Sequence, residues 1–91
     1  MMRRAIVTPE ELRKFALYLN GFNDKLEDSF RSMKNNLDNL GITWQDQEYV
    51  RFDDEFKNTL KQITIFLAAS RDVVPFLYRK AKAADDYLEQ R

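Results

Sequence analysis

The sequence predicts an all-α protein: a two-helix antiparallel hairpin, paired into a dimeric four-helix bundle. Three observations carry that expectation. Two long segments show apolar residues recurring every three or four positions, the spacing of one helical stripe. Between them lies Leu40-Gly41-Ile42-Thr43-Trp44-Gln45-Asp46, a short break that holds the only Trp of the chain. The chain is also short, 91 residues, and two helices of that size cannot enclose a core by themselves.

The elements follow in order within one domain, residues 1–91. Residues 1–7 read as a short lead. Thr8-Pro9-Glu10-Glu11 then reads as a helix start. Thr8 can cap free N–H groups, Pro9 suits the first helical position, and Glu11 completes a capping box. Both Glu side chains complement the positive end of the helix dipole. From there Leu12, Phe15, Leu19, Phe22, Leu26, Phe30, Met33, Leu37 and Leu40 form one stripe, and the helix is expected over about 9–39. Asn20-Gly21 could turn the chain, but the stripe keeps its phase through Gly21, so the helix continues there at a cost of about 1 kcal/mol relative to Ala. Gly41 is the expected C-terminal stop, and the turn spans 40–46.

The second helix is expected from about residue 46. Its stripe runs Tyr49, Phe52, Phe56, Leu60, Ile63, Leu67, Ser70, Val74, Leu77, Ala81, Ala84 and Leu88, sustained enough for coiled-coil-like packing. Pro75 interrupts it, because proline removes a helical hydrogen bond and clashes with the preceding turn. The expectation is therefore helix over about 46–73, a kink near Pro75, and helix again over about 76–89. A register count that folds the chain at Ile42 puts Pro75 opposite Pro9. Residues 76–90 would then overhang the hairpin with an apolar stripe that needs a partner.

Composition narrows the function. With no Cys there is no disulfide and no thiolate metal site. The absence of His removes the commonest general base and metal ligand. Asp53-Asp54 and Asp85-Asp86 are adjacent on a helix and point in different directions, so they read as solvated faces rather than an acid/base pair. Two glycines cannot build a phosphate loop. The expectation is a non-enzymatic protein with no catalytic residue, no metal and no cofactor. Fifteen basic residues balance fifteen acidic ones, which argues against a dedicated nucleic-acid partner. The small basic run Arg79-Lys80 and Lys82 is better read as complementing a helix C-terminus beside Asp85 and Asp86. No run approaches the roughly 20 apolar residues of a membrane span, and no signal-peptide core follows Met1-Met2-Arg3-Arg4. The expected location is cytoplasmic, or secreted without a cleaved signal.

The hairpin with Trp at its turn resembles the WXG family, the small helical-hairpin proteins of early-secreted-antigen type. Trp44 matches the family's Trp-X-Gly turn, Gln45 is the free position, and Asp46 stands where the family has Gly. Asp is itself a good helix N-cap, and Tyr49 and Phe52 open the next helix as the family pattern asks. The resemblance implies a four-helix homodimer or heterodimer, usually antiparallel, whose partner is a second copy or a homologous hairpin. It also implies secretion machinery of type VII-like systems as a partner, with the chain as substrate, chaperone or adaptor. The C-terminal Tyr-X-X-X-Asp/Glu export signal of such systems is not matched: Lys82 follows Tyr78 and Arg91 follows Tyr87. Tyr49 and Asp53 fit its letters at the wrong end of the helix. A second reading is an intracellular adaptor that uses the 76–90 overhang. The turn motif is Gly41, Trp44 and Asp46. The expected interface is Phe15, Leu19, Phe22, Leu26, Phe30, Phe52, Phe56, Leu60, Ile63, Leu67, Leu77 and Leu88.

Overall fold

A computed structural model describes residues 8–89; the expected lead at 1–7 lies outside them. Two helices make up the fold, α1 over Pro9–Leu40 and α2 over Gln47–Glu89, packed against each other as a hairpin. At 1.5 Å per residue they are about 48 and 64 Å long, and the molecule measures 67 × 25 × 16 Å. The two helices form one layer, so each helix has a flank that no other described residue covers.

Thr8 is the extended residue before α1, and Pro9 occupies the first turn. The Thr8 carbonyl accepts the N–H groups of Glu11 and Leu12, both at 3.1 Å. Its hydroxyl makes no capping bond, so the expected capping box does not form. The Glu11 N–H that the hydroxyl would serve is already taken by the carbonyl. The helix passes through Gly21 without interruption, and a Cβ there would meet nothing within 4 Å.

Burial follows a strict heptad in both helices. In α1 the positions lettered a are Pro9, Ala16, Asn23, Phe30 and Leu37, and those lettered d are Leu12, Leu19, Leu26, Met33 and Leu40. In α2, a holds Asp53, Leu60, Leu67, Val74, Ala81 and Leu88, while d holds Tyr49, Phe56, Ile63, Ser70, Leu77 and Ala84. Apart from Arg13, Arg71 and Asp85, every helical residue that is buried or half-buried lies on one of these positions. Phe30 stacks on Phe56 across the seam with ring centroids 5.9 Å apart. Ser70 Oγ donates to Asn23 Oδ1 at 2.8 Å, forming a buried polar layer within it.

Two expectations about α2 are corrected. The helix is continuous from Gln47 to Glu89, with Pro75 inside it; the expected interruption between 73 and 76 is absent. Pro75 is exposed, and the seam residues on either side, Ser70, Val74, Leu77 and Ala81, stay against α1, so packing holds the helix across the missing hydrogen bond. The register also differs. Asn23 meets Ser70, whereas folding at Ile42 would send it to Lys61. Side chains lean toward the N-terminus of their own helix. In an antiparallel pair this carries an α1 contact about two residues later in α2, the offset at which Phe30 meets Phe56. The offset grows to nine at Asn23 and Ser70, more than the lean supplies. Leu77 and Ala81 are consequently buried, and Arg13 pairs with Asp85. The segment from residue 76 is therefore not an unpaired overhang: pairing reaches Asp85, and Tyr87 and Leu88 beyond it are exposed.

Candidate interaction surface

The turn is a braced structure. Asp46 caps α2, its Oδ1 accepting the N–H groups of Glu48 at 3.0 Å and Tyr49 at 3.1 Å. Its carboxyl is held below the ordinary value of 3.8, first by hydrogen bonding from the Trp44 side chain and then by the Tyr49 backbone N–H. Trp44 is half-buried and meets the edge of Tyr49, ring centroids 5.4 Å apart at 73°. The Tyr49 hydroxyl reaches back across the turn and donates to the Leu37 carbonyl at 3.0 Å. Gly41 closes α1 in a right-handed helical conformation, φ −64° and ψ −15°. Its glycine is needed for a different reason: a Cβ there would lie 2.6 Å from Tyr49 Cζ. Gly41, Trp44, Asp46 and Tyr49 thus form one interlocked tip.

The two broad faces of the hairpin are unlike. One carries the e positions, next to the seam, and is laced by ions. Arg13 pairs with Asp85 there, and Arg71 bridges to Asp24 at 3.2 Å and Glu27 at 3.1 Å. Exposed pairs of this kind add little stability, but they fix which edges of the helices meet. A shallow groove of about 440 Å³ opens on this face, floored by Phe30, Leu60, Ile63 and Leu67.

With e positions on one face, the g positions of both helices fall on the other. That face is aromatic and exposed. On α1, Phe15 and Phe22 occupy g and Tyr18 the neighbouring c; their rings follow one another at 6.3 and 6.4 Å between centroids. On α2, Phe52, Phe66, Val73 and Tyr87 all fall on g, and Phe76 on c, and all five are exposed. The pairing of Asn23 with Ser70 puts the α1 run abreast of residues 71–78.

The twelve residues expected at an interface divide accordingly. Phe56, Leu67 and Leu77 are buried inside the hairpin; Leu19, Leu26, Phe30, Leu60 and Ile63 are half-buried along the seam; Phe15, Phe22, Phe52 and Leu88 are exposed. Tyr18, Phe66, Val73 and Phe76 belong with the exposed set and were not singled out by counting apolar spacing. Their signal was present as a second seven-residue spacing, offset by one position from the seam. In the basic run, Lys82 pairs with Asp86 at 3.3 Å. Among the described residues no helix is long and apolar enough to cross a membrane. No family model, curated protein or solved structure matches the chain.

Proposed function

We propose that this protein is a non-enzymatic, WXG-like dimerising hairpin whose work is done by its aromatic face. The observation that carries the reading is the imbalance of apolar burial: among the described residues six apolar ones are buried, while sixteen large ones are exposed. An exposed apolar surface of this extent marks an interaction site. Eight of them (Phe15, Tyr18, Phe22, Phe52, Phe66, Val73, Phe76 and Tyr87) lie on the aromatic face, which pairing two hairpins face to face into a four-helix bundle covers. The Trp44 turn supports the same reading through the family resemblance, which extends it to a substrate, chaperone or adaptor of type VII-like secretion. The ion-laced face stays outward in such a bundle.

Light scattering and sedimentation of the purified chain test the reading directly. A dimer mass is expected; a well-folded monomer at micromolar concentration overturns it. Two substitutions refine the test. Phe22→Asp, on the exposed face, gives a helical monomer. Phe56→Asp, inside the seam, unfolds the hairpin itself, because it buries a charge where Phe30 stacks.

A further inference from the structure

The groove on the ion-laced face exists because its charged rim has a gap. Over residues 24–38 of α1 and 57–71 of α2, the e and b positions hold five cations and three anions, and the other two are Thr64 and Ala68. Both are short, so α2 leaves a low wall there. The half-buried Phe30, Leu60 and Ile63 show at the bottom, beside the buried Leu67. The chain as a whole is neutral, so this cationic excess is local. Arg31, Lys34 and Arg71 line the opening, with Glu27 as the anion among them. The cations are not saturated. Arg71 donates to Asp24 and Glu27 from Nη2 alone, and its Nη1 and Nε make no hydrogen bond among the described residues. Arg31 comes within 3.9 Å of the same Glu27 oxygen. Two guanidinium groups thus share one carboxylate at this end, and each has five N–H donors to place.

We propose that this groove binds a free fatty acid. Its carboxylate sits on the open edge of Arg71 beside Arg31, and its hydrocarbon chain runs along Leu67, Ile63 and Leu60 toward Lys34. A planar guanidinium matches a carboxylate with two parallel hydrogen bonds. Between residues 60 and 71 α2 rises about 16 Å, which suits an extended chain better than a compact ring system. The volume, about 440 Å³, falls within the range of roughly 300–1,000 Å³ found for small-molecule sites. Area decides against a protein helix as occupant. The four floor residues expose on the order of 200 Å² at most, against about 800 Å² per partner in a stable protein contact. The aromatic rings lie on the opposite face, so the groove stays open whether or not that face is covered.

The test is displacement of cis-parinaric acid, a fatty acid that fluoresces in apolar surroundings, from the purified chain. Myristate should displace it, and methyl myristate, which lacks the charge, should do so roughly tenfold less well. Arg71→Gln should weaken myristate by about the same factor and leave the ester unchanged. Ala68→Trp, at an exposed position, fills the groove and should abolish binding. Phe15→Ser, on the aromatic face, should leave binding intact. Circular dichroism should show Arg71→Gln and Ala68→Trp as helical as the wild type. The comparison of acid with ester needs no variant at all. Equal displacement by acid and ester overturns the proposal, as does binding that survives Ala68→Trp and is lost in Phe15→Ser. A changed sedimentation mass for Ala68→Trp would give the groove to a second copy. Tighter binding of an acidic amphipathic peptide than of myristate would give it to a protein helix. Either result overturns the proposal as well.

Discussion

Asn23 and Ser70 are 47 residues apart in the chain and meet at 2.8 Å inside the seam. Ser70 has one hydroxyl, so it satisfies one polar atom of the amide, and Asn23 Nδ2 is buried without a partner among the described residues. Either orientation of the amide leaves one atom unpaired. Such a layer lowers stability and specifies register. Slipping by one heptad would set Asn23 against Ile63 or Leu77, where its amide would have no partner at all.

Ser70→Ala should therefore destabilise the hairpin by about 1–3 kcal/mol, because Asn23 loses its one partner. Asn23→Leu combined with Ser70→Ala should instead raise stability by making the layer apolar. Urea unfolding of the three proteins measures both effects. Opposite signs are the expected outcome, and a neutral Ser70→Ala would mean that the layer carries no weight.

The two glycines should respond in opposite directions. Gly21 lies mid-helix with open space around its Cβ position, so Gly21→Ala should stabilise by about 1 kcal/mol. At Gly41 the new methyl collides with the Tyr49 ring, and Gly41→Ala should destabilise by about 1–3 kcal/mol. Thermal melts followed by circular dichroism distinguish the two.

Pro75 sits exposed within an unbroken helix. Pro75→Ala restores the missing backbone donor and removes the ring's clash with the preceding turn. Stability should rise by up to about 3 kcal/mol. A loss would indicate that a proline bend shapes the aromatic face around Val73 and Phe76, and sedimentation of the variant would then report weaker self-association.

Asp46 sets an acid dependence. Its folded pKa lies below 3.8, so its contribution is complete above that ordinary value and is lost as pH falls through the lower folded one. Lys57 has the opposite sign. The hydrogen bond and charge of Asp53 hold its amine above 10.5, so its contribution is complete below that value and is lost as pH rises through the higher folded one. In melting curves across pH, Asp46→Ala should flatten the acid limb and Lys57→Met the alkaline limb. Both effects should shrink in high salt.

Much of this was legible in the sequence, and the exceptions share a cause. Helix ends were fixed by strong local signals: Pro9, the break after Leu40, and the cap at Asp46. The seam was blurred because three-or-four counting followed apolar residues only. Phe15 and Phe22 entered the α1 stripe, while Ala16 and Asn23, which are fully buried, were passed over. Counting by sevens separates the seam from the aromatic face. Register could not be counted from the turn alone, because the pairing drifts along the hairpin, from an offset of two residues at Phe30 and Phe56 to nine at Asn23 and Ser70. The tip motif was legible as Gly41, Trp44 and Asp46; the collision that demands Gly41 was not, since it depends on where the Tyr49 ring lands.

The hydroxyl of Tyr49 on the Leu37 carbonyl has a kinetic meaning. It joins residues only 12 positions apart, whereas Arg13 and Asp85 are separated by 72. Short loops close at lower entropic cost than long ones. The chain should therefore zip from the tip toward the base, passing the Asn23 and Ser70 layer midway, where a misaligned strand of helix would stall. Most of the aromatic face (Phe15, Tyr18, Phe22, Val73, Phe76 and Tyr87) lies on the base side of that layer and is completed last, so a chain still folding offers no finished surface to a second copy.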